Sequence, residues 1–434
     1  MSTPVRPAPP RRRGARLRWA PALPSMAAWE RTAWICAATQ FFTLVGFGLG
    51  LPFLPMYVQS LGITERAQVA VWSGVLSGSA ALTMAILAPV WGVLSDRYGR
   101  KPMLVRAMVG GAILVGAMGF VDNVWQLLTL RLLQGAFTGS QAAAAALVAA
   151  STPAGQAGFA LGLISTAVQV GNTFGPALGA VSVNSLGFRG SFGLGGLILL
   201  VGALMAIFWV DEPPRQKARA GASPALSVWA RTFGPLAWPG FRLLLVLQVG
   251  VSFVFSASVN LLPIYLQDMN RPIWLSAELA SGLSITATAI TAALGMPFLG
   301  PWTDRHGPRG LLIASLAGTA VVLAIQALVP TVGLFLALRA VLGVWLAGVT
   351  ATMSVMTKVA APVGSEGSAF GATGSAGGLG WGLGPILGSG VVAVGGIPAL
   401  YLVSATMMLG LVVLAARSSS SVRGRVVHSP QAGS

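Results

Sequence analysis

The sequence predicts an all-α membrane protein with twelve transmembrane helices, arranged as two parallel repeats of six helices about an axis along the membrane normal. The first observation is composition: of 434 residues, 55% are hydrophobic and 9% are charged, and the mean hydropathy is +0.77. A soluble domain has about 45 to 50% apolar and about 25% charged residues. The other two observations are a series of long apolar stretches and an internal repeat.

Twelve apolar stretches are each long enough to cross a bilayer, which takes about 20 residues in an α-helix. They begin near Trp34, Val69, Met103, Trp125, Ala157, Phe192, Leu243, Leu279, Leu311, Val332, Gly367 and Ile397. The stretch from Gly367 is rich in glycine, and membrane helices use such small residues for close packing. We number these predicted helices span 1 to span 12.

The internal repeat is clearest in LPMYVQ (54–59), which returns as LPIYLQ (262–267). Further pairs at this offset, or at one residue more, are Gln40 with Gln248, Phe47 with Phe255, Gly92 with Gly300, Asp96 with Asp304, Arg131 with Arg339, and Gly171 with Gly380. Since six spans is an even number, the second half enters the membrane from the same face, which makes the repeats parallel. The hexapeptides then end spans 1 and 7, with Pro ending each helix and Tyr at the lipid headgroups.

The repeat and the composition divide the chain into five segments. They are a disordered basic cytoplasmic tail (1–30), an N-terminal six-helix half (31–210), a cytoplasmic linker (211–240), a C-terminal six-helix half (241–417) and a cytoplasmic tail (418–434). The first segment is rich in Arg and Pro without periodicity. The apolar run after it is too long for a signal peptide. Translation from Met26, directly before span 1, is an alternative to translation from Met1.

The net charge of +17 is explained by topology. Of 27 Lys and Arg, three lie on one side of the membrane (Arg66, Arg189 and Arg271), two lie inside spans, and the remaining 22 lie on the side of both termini. By the positive-inside rule both termini are cytoplasmic, in a multi-pass protein of the cell (inner) membrane. The lipid bilayer, with its anionic headgroups, is therefore the expected partner of the basic residues. Nucleic-acid binding is the weaker interpretation.

The scarcity of Cys and His argues against enzymatic chemistry. Cys36 is the single cysteine, which excludes a disulfide within the chain, and His306 and His428 are the only histidines. A metal site or an imidazole-based active site has almost no ligands to use. We therefore expect no metal, no cofactor and no enzymatic activity.

Several motifs resemble those of one transporter family. GVLSDRYGRKPML from Gly92 resembles the loop between helices 2 and 3 of the major facilitator superfamily, and GPWTDRHGPRG is a degenerate second copy after span 8. RLLQGAFTG from Arg131 is similar to that family's helix-4 motif, and GNTFGPALGA from Gly171 to the helix-5 signature of its proton-coupled antiporters. LPFLPMYVQSLGI in span 1 is similar to bacterial multidrug efflux proteins of the drug:proton antiporter type. The resemblance covers nearly the whole folded chain.

The resemblance implies that the two loops form cytoplasmic contacts that favour the outward-facing state. The switch residues it implies are Gly92, Asp96, Arg97, Gly99 and Arg100, with Asp304, Arg305 and Gly307 in the second copy. From the residues themselves, a carboxylate at the end of span 2 can pair with Arg or with a helix N-terminus, and Gly99 suits a left-handed turn. The basic side chains can hold the loop against lipid phosphates. The alternative is an anchor with no switching role.

The helix-5 motif consists of Gly171, Gly175, Pro176 and Gly179. The three glycines repeat every four residues on one helix face, so another helix can approach closely, and the proline can bend the span. The resemblance makes this motif a signal for antiport. Packing alone is the alternative.

The substrate cavity is expected between the halves. Gln40 and Phe47 share one face of span 1, and Gln248 and Phe255 repeat it on span 7. Amides beside aromatic rings suit an amphipathic organic molecule, although interhelical packing would also explain the two rings. The remaining candidates are Gln134, Asn260, Arg131 and Arg339. An Arg inside a span is a functional hypothesis; the alternatives are snorkelling to the outer interface or bonding to carbonyls of a broken helix.

The distribution of acids departs from what an antiporter needs. All ten Asp and Glu fall at span ends or in loops, whereas proton coupling normally needs a titratable group near the substrate. Either an acid at the rim, such as Glu65, Asp268 or Glu278, takes the proton, or coupling is absent. Two internal cations without an internal anion favour a neutral or anionic amphiphile.

The sequence thus predicts a monomeric secondary transporter that exports small amphipathic compounds by alternating access, with protons as the coupling ion. The first alternative is a facilitator or a nutrient or metabolite importer on the same fold, because a fold does not fix a substrate. The second is a membrane sensor that binds a ligand without transporting it.

Overall fold

A computed structural model describes residues 26–212, 238, 241–361 and 366–417. The side chains of 89, 93, 96, 154, 300, 301, 304–306, 366 and 367 lie outside that description. Residues 1–25, most of the predicted linker at 211–240 and the predicted tail at 418–434 also lie outside the described residues. The first helix begins at Ala28, inside the segment predicted as the tail at 1–30.

The described chain is almost entirely helical. Its helices are α1 (Ala28–Gly50), α2 (Leu54–Ser60), α3 (Arg66–Tyr98), α4 (Arg100–Met118), α5 (Val124–Phe137), α6 (Ser140–Ser151), α7 (Ala157–Trp209), α8 (Phe241–Asn260), α9 (Leu262–Asp268), α10 (Ala277–His306), α11 (Pro308–Gln326), α12 (Val332–Ala360) and α13 (Glu366–Arg417). Short 3-10 turns lie at Leu51–Phe53 and Ala154–Gln156.

The prediction of twelve spans is confirmed. Ten helical stretches of the described residues are long and apolar enough to cross a membrane. Two of them, α7 with 53 residues and α13 with 52, are twice the length that a bilayer requires. Each is divided at a glycine with positive φ, Gly187 (φ 70°) and Gly396 (φ 75°). Spans 5 and 6 therefore lie in α7, and spans 11 and 12 in α13.

The two halves repeat one another in their contacts as well as in their sequence. Tyr57 in α2 donates a 2.7 Å hydrogen bond to the carbonyl of Met118, where α4 ends. Tyr265 in α9 donates a 2.9 Å bond to the carbonyl of Gln326, where α11 ends. Each bond spans 61 residues. The structure therefore supports the predicted duplication into two six-span halves.

The predicted role of the repeated hexapeptide is wrong in two respects. Tyr57 is only 1% exposed and Tyr265 7%, so neither ring lies at the lipid headgroups. A buried phenol needs a hydrogen-bond partner, and the carbonyl at the end of a neighbouring helix supplies it. Moreover, Pro55 and Pro263 stand in the first turns of α2 and α9 and so begin helices rather than end them.

Candidate functional site

Two faces of the molecule need names. The terminal face carries the start of α1 at Ala28 and the end of α13 at Arg417. At this face Arg31 pairs with Asp211 after span 6, and Arg309 donates to the carbonyl of Ala416. The opposite face carries the repeated hexapeptides. Between the faces, span 2 packs against span 11 and span 5 against span 8.

The halves are joined at the opposite face by polar side chains. Gln59 and Gln267, equivalent residues of the two hexapeptides, exchange two amide hydrogen bonds of 3.3 and 3.1 Å across the interface. Arg66 forms an ion pair with Asp268. Asn184 donates a 2.9 Å bond to Ser276. These residues form what we call the outer gate.

A second layer of contacts lies below the outer gate. Ser77 in span 2 donates a 2.5 Å hydrogen bond to Asn260 in span 7, and Thr286 in span 8 donates a 2.7 Å bond to the carbonyl of Thr173 in span 5. The Nδ2 atom of Asn260 is buried and has no partner among the described residues. This layer closes the top of the space between the halves.

The halves separate from this layer towards the terminal face. A side chain at Gly382 would lie 3.0 Å from Leu82, so spans 2 and 11 touch at that level. Ile86 and Val90, one and two turns further along span 2, are 73% and 48% exposed. On span 8, Thr286 is buried, whereas Ile290 and Leu294 below it are 40% and 64% exposed. The structure therefore has a cleft that is closed at the opposite face and open at the terminal face.

Three of the predicted cavity residues lie inside the N-terminal half. Gln40 is fully buried and its Oε1 accepts a 3.2 Å bond from Ser140, the first residue of α6. Arg131 is 6% exposed and donates from Nε to the carbonyl of Leu76 (2.9 Å) and from Nη1 to Gln134 (2.5 Å). Burial rules out snorkelling of Arg131, and its carbonyl bond is to the adjacent span 2.

The two predicted aromatic residues are not brought together. The ring of Phe47 lies beside Gly111 of span 3, where a side chain at Gly111 would be 3.8 Å from Cζ. Phe255 makes an edge-on contact with Trp381 of span 11 at 5.7 Å. Gln248 donates a 3.3 Å bond to Ser252 in its own helix. Packing within each half accounts for these three side chains.

Arg339 lies inside the C-terminal half. It is 1% exposed and donates a 3.2 Å bond to the hydroxyl of Tyr401, and its guanidinium lies 5.3 Å from the ring centre of Phe335. Its Nε atom has no partner among the described residues. The phenol hydroxyl and the aromatic ring therefore stabilise this buried cation in place of a carboxylate.

The glycines of the helix-5 motif allow a close helix contact in the N-terminal half. A side chain at Gly171 would lie 2.7 Å from Cβ of Leu44, and one at Gly179 would lie 2.8 Å from Cα of Leu49. Gly175 meets the backbone of span 1 in the same way. On the other side of the helix, the carbonyl of Pro176 would lie 2.7 Å from a side chain at Gly282 of span 8. The motif thus supports both packing within the half and contact between the halves.

Part of the predicted switch loop is used differently from the prediction. The Arg100 guanidinium donates to the carbonyl of Ala146, and Lys101 Nζ donates a 2.7 Å bond to the carbonyl of Ile207. The loop is therefore held by carbonyls near the ends of spans 4 and 6, as expected for cations at helix C-termini.

Gly99 (φ 109°) and Gly307 (φ 82°) have the positive φ that glycine tolerates. Gly92 is exposed, and the guanidinium of Arg97 lies 5.4 Å from the ring centre of Tyr98. The side chains of Asp96, Asp304 and Arg305 lie outside the described set.

Glu212 is a functional candidate that was not predicted from the sequence. Its carboxylate accepts from the backbone N–H groups of Arg100 (2.8 Å) and Lys101 (2.7 Å), at the start of α4. An acid at a helix N-terminus supplies acceptors for N–H groups that have none within the helix. Glu212 thereby fixes the chain that leaves span 6 to the loop after span 2.

We predict that Glu212→Ala loosens this connection. The N–H groups of Arg100 and Lys101 lose their acceptor, so the chain after span 6 should be cleaved faster by protease in the purified protein. The rate of cleavage measures the effect. Glu30→Ala is the matched control, because the bond that Glu30 accepts in the described chain comes from Ala27, at the start of its own helix α1. Equal cleavage of the two variants would contradict the proposed anchoring.

The acidic side chains that the structure describes lie at helix ends rather than in the cleft. Seven of the acids, namely Glu30, Glu65, Asp122, Asp211, Glu212, Asp268 and Glu278, have described side chains and stand at or beside helix ends. Within the described residues there is no group of three or more His, Cys, Asp or Glu able to hold a metal. The described cleft therefore offers amides, hydroxyls and apolar groups rather than carboxylates.

The fold and the cleft together define a membrane transporter of the alternating-access class. Family comparison gives the same assignment: the chain matches the model of the Major Facilitator Superfamily over residues 36–284 and 271–431. The chain belongs to the Major Facilitator Superfamily. The predicted resemblance is thus confirmed, and with it the prediction that the chain is a multi-pass membrane transporter of small molecules rather than an enzyme.

Individual relatives agree with this assignment. The Multidrug resistance protein MdtG of Enterobacter lignolyticus (strain SCF1) is 32% identical over 382 residues, covering 88% of this chain and 90% of that protein. MdtG of Proteus mirabilis (strain HI4320) is 34% identical over 316 residues, covering 73% and 77%. Among solved structures, the nucleoside transporter NupG has a TM-score of 0.72 at 16% identity, covering 90% of this chain and 99% of that one. At that identity the likeness shows the fold alone.

Proposed function

We propose that this secondary transporter exports small amphipathic compounds from the cytoplasm across the cell (inner) membrane, as a monomer working by alternating access. One observation carries the proposal: the cleft between the halves is closed at one face by polar side chains and open at the other. A transporter that alternates needs such a contact set, which can break and re-form while each half moves as a body. The names of the MdtG relatives support export of drug-like compounds.

The distribution of basic residues supports a cytoplasmic terminal face. The terminal face carries Arg31, Arg97, Arg100, Lys101 and Arg309, whereas the opposite face carries Arg66, Arg189 and Arg271. Positive charge collects on the cytoplasmic side of membrane proteins. The open cleft then faces the cytoplasm, which is the state that loads a compound for export.

Proton coupling is the second part of the proposal, and it involves the outer gate. Asp268 is the rim acid that pairs with Arg66 across the halves. A proton on this carboxylate removes the attraction, which favours opening of the opposite face. Coupling through the gate would explain how a chain with no acid inside its spans uses a proton gradient. The same fold without coupling would be a facilitator or an importer.

Transport by purified protein in proteoliposomes tests the proposal. A panel of fluorescent amphiphiles is offered with and without an imposed pH gradient, and the Asp268→Asn variant is compared with the unmodified protein. We expect gradient-driven accumulation that stops when an ionophore collapses the gradient, and accumulation by Asp268→Asn that no longer responds to the gradient. Protein-free liposomes provide the background.

The alternatives give different results in the same experiment. Equilibration that ignores the gradient in the unmodified protein would identify a facilitator. Binding of compounds without any movement across the membrane would identify a sensor. An unchanged response to the gradient in Asp268→Asn would mean that another acid is the coupling group.

A further inference from the structure

Span 4 is broken in the middle of the membrane, and its counterpart is not. α5 ends at Phe137 and α6 begins at Ser140, with Gly139 between them at φ 109°. In span 10 the equivalent of Gly139 is Ala347, and α12 runs unbroken from Val332 to Ala360. A left-handed residue is easy for glycine and unfavourable for alanine. The break is therefore a property of the N-terminal half alone.

The break places a helix N-terminus at mid-depth. α6 has 12 residues and ends at the terminal face, and at 1.5 Å per residue its first turn lies about 17 Å inside that face. The first N–H groups of a helix have no acceptor within it and carry a partial positive charge. No side chain caps this N-terminus. Thr138 and Gly139 are half-buried and Gln141 is exposed, so the turn lies at the edge of the packed helices.

A buried amide whose N–H donor lacks an acceptor lies at the same place. Gln40 is fully buried, and its Oε1 lies 3.2 Å from the hydroxyl of Ser140, the first residue of α6. Its Nε2 has no hydrogen-bond partner in the described part of the chain. A buried amide donor left unpaired costs free energy. An acceptor group that reaches this amide beside the start of α6, in place of the side chains that bury it, would satisfy it.

The electrostatic environment selects the charge of that acceptor. Arg131, in the other segment of span 4, is buried, and among the described residues its guanidinium bonds to the carbonyl of Leu76 and the amide of Gln134. All ten acidic positions lie at or beside helix ends, away from the break. A helix N-terminus and a guanidinium without a carboxylate produce a positive potential, which stabilises an anion in a medium of low dielectric constant.

We propose that the first turn of α6 and the Nε2 group of Gln40 bind the carboxylate of an amphipathic substrate. This inference deepens the proposed function, on which it rests, by naming the substrate class as amphiphiles with a carboxylate on an apolar body. The carboxylate accepts hydrogen bonds from Gln40 and from the free N–H groups of α6, and the apolar body occupies the cleft.

Ligand binding to purified protein in nanodiscs tests the site with a matched pair of probes. Dansylglycine carries the carboxylate, and its carboxamide has the same shape without the charge. The unmodified protein is expected to bind the carboxylate at least about tenfold more tightly, the usual size of a hydrogen bond to a charged group. Gln40→Leu should weaken carboxylate binding about tenfold and leave carboxamide binding unchanged within about twofold.

Two further variants make the result specific. Gln40→Glu, which is nearly isosteric, places an anion at the first turn of α6 and should abolish the preference for the carboxylate. Gln326→Leu is the control, because Gln326 is equally buried and also has an unpartnered Nε2, but lies in the C-terminal half. It should retain the preference.

Equal binding of the two probes by the unmodified protein, no binding of either, or equal weakening of both by Gln40→Leu would overturn the inference. Transport data separate this failure from failure of the proposed function. If neutral amphiphiles are accumulated while the carboxylate preference is absent, only the substrate site is wrong. If the carboxylate binds through Gln40 but no compound crosses the membrane, the site stands and the export function is wrong.

Discussion

Linking position 59 to position 267 is expected to stop transport. In the double variant Gln59→Cys/Gln267→Cys, the two thiols take the place of amides that exchange hydrogen bonds of 3.1 and 3.3 Å across the halves. A disulfide, or a short bis-thiosulfonate bridge where the geometry of the thiols requires it, would hold the outer gate shut. Since alternating access requires this face to open once per cycle, uptake into proteoliposomes should fall to the protein-free background.

The controls for this prediction are built into the chain. Cys36 is the single native cysteine and is fully buried, so oxidation of the unmodified protein should leave transport unchanged. Each single variant should transport after oxidation, and a reductant should restore transport to the linked double variant. Full transport by a protein shown to be linked would mean that the opposite face stays closed during the cycle, which would contradict alternating access.

The global architecture was predictable because its signals extend over long stretches of chain. An apolar run of span length can satisfy its backbone in a bilayer only as a helix, so counting such runs gave the twelve spans. The duplication was visible because the pairs recur in order at one offset. The glycines at 171, 175 and 179 were assigned to a packed face by their spacing, and the structure places that face against span 1.

The roles of single side chains were harder to predict, because they depend on which helices are neighbours. The hexapeptide pattern gave the position of Tyr57 but not the carbonyl of Met118, which belongs to another span. Gln59 and Gln267 were recognised as equivalent residues of the repeated hexapeptide. Their direct contact was not predicted, although equivalent residues near a pseudo-twofold axis can meet each other.

The candidate substrate site was predicted only in part. Gln40 was identified from its repeat, but its environment depends on the break at Gly139. The chain contains 56 glycines, so a single glycine carries no distinct signal. Comparison of the halves supplies such a signal, since the residue equivalent to Gly139 in the second half is Ala347. Glu212 was missed because its partners are backbone N–H groups, which leave no trace in the sequence.

Gly48→Ala is expected to destabilise the protein, although alanine favours helix formation over glycine by about 1 kcal/mol. A Cβ at position 48 in span 1 would lie 2.6 Å from both the carbonyl carbon and Cα of Gly175 in span 5. These are backbone atoms and cannot rotate away, so the two helices must separate along their whole contact. Overpacking of this kind typically costs about 1–3 kcal/mol, which exceeds the gain in helix propensity. We expect a lower melting temperature and less folded protein in detergent.

Gly111→Ala provides the matched comparison within the same half. Gly111 is also buried in a helix interior, but a Cβ there would lie 3.8 Å from Phe47 and 3.9 Å from Leu199, which is ordinary van der Waals contact. Its stability should be unchanged or slightly higher, because only the propensity term remains. The second half shows what a side chain at this crossing requires: Ser256 replaces Gly48 there, and its hydroxyl bonds to the carbonyl of Gly380 at 3.2 Å. If Gly48→Ala is as stable as Gly111→Ala, then spans 1 and 5 have room to separate, and the close approach made by the helix-5 glycines does not stabilise the N-terminal half.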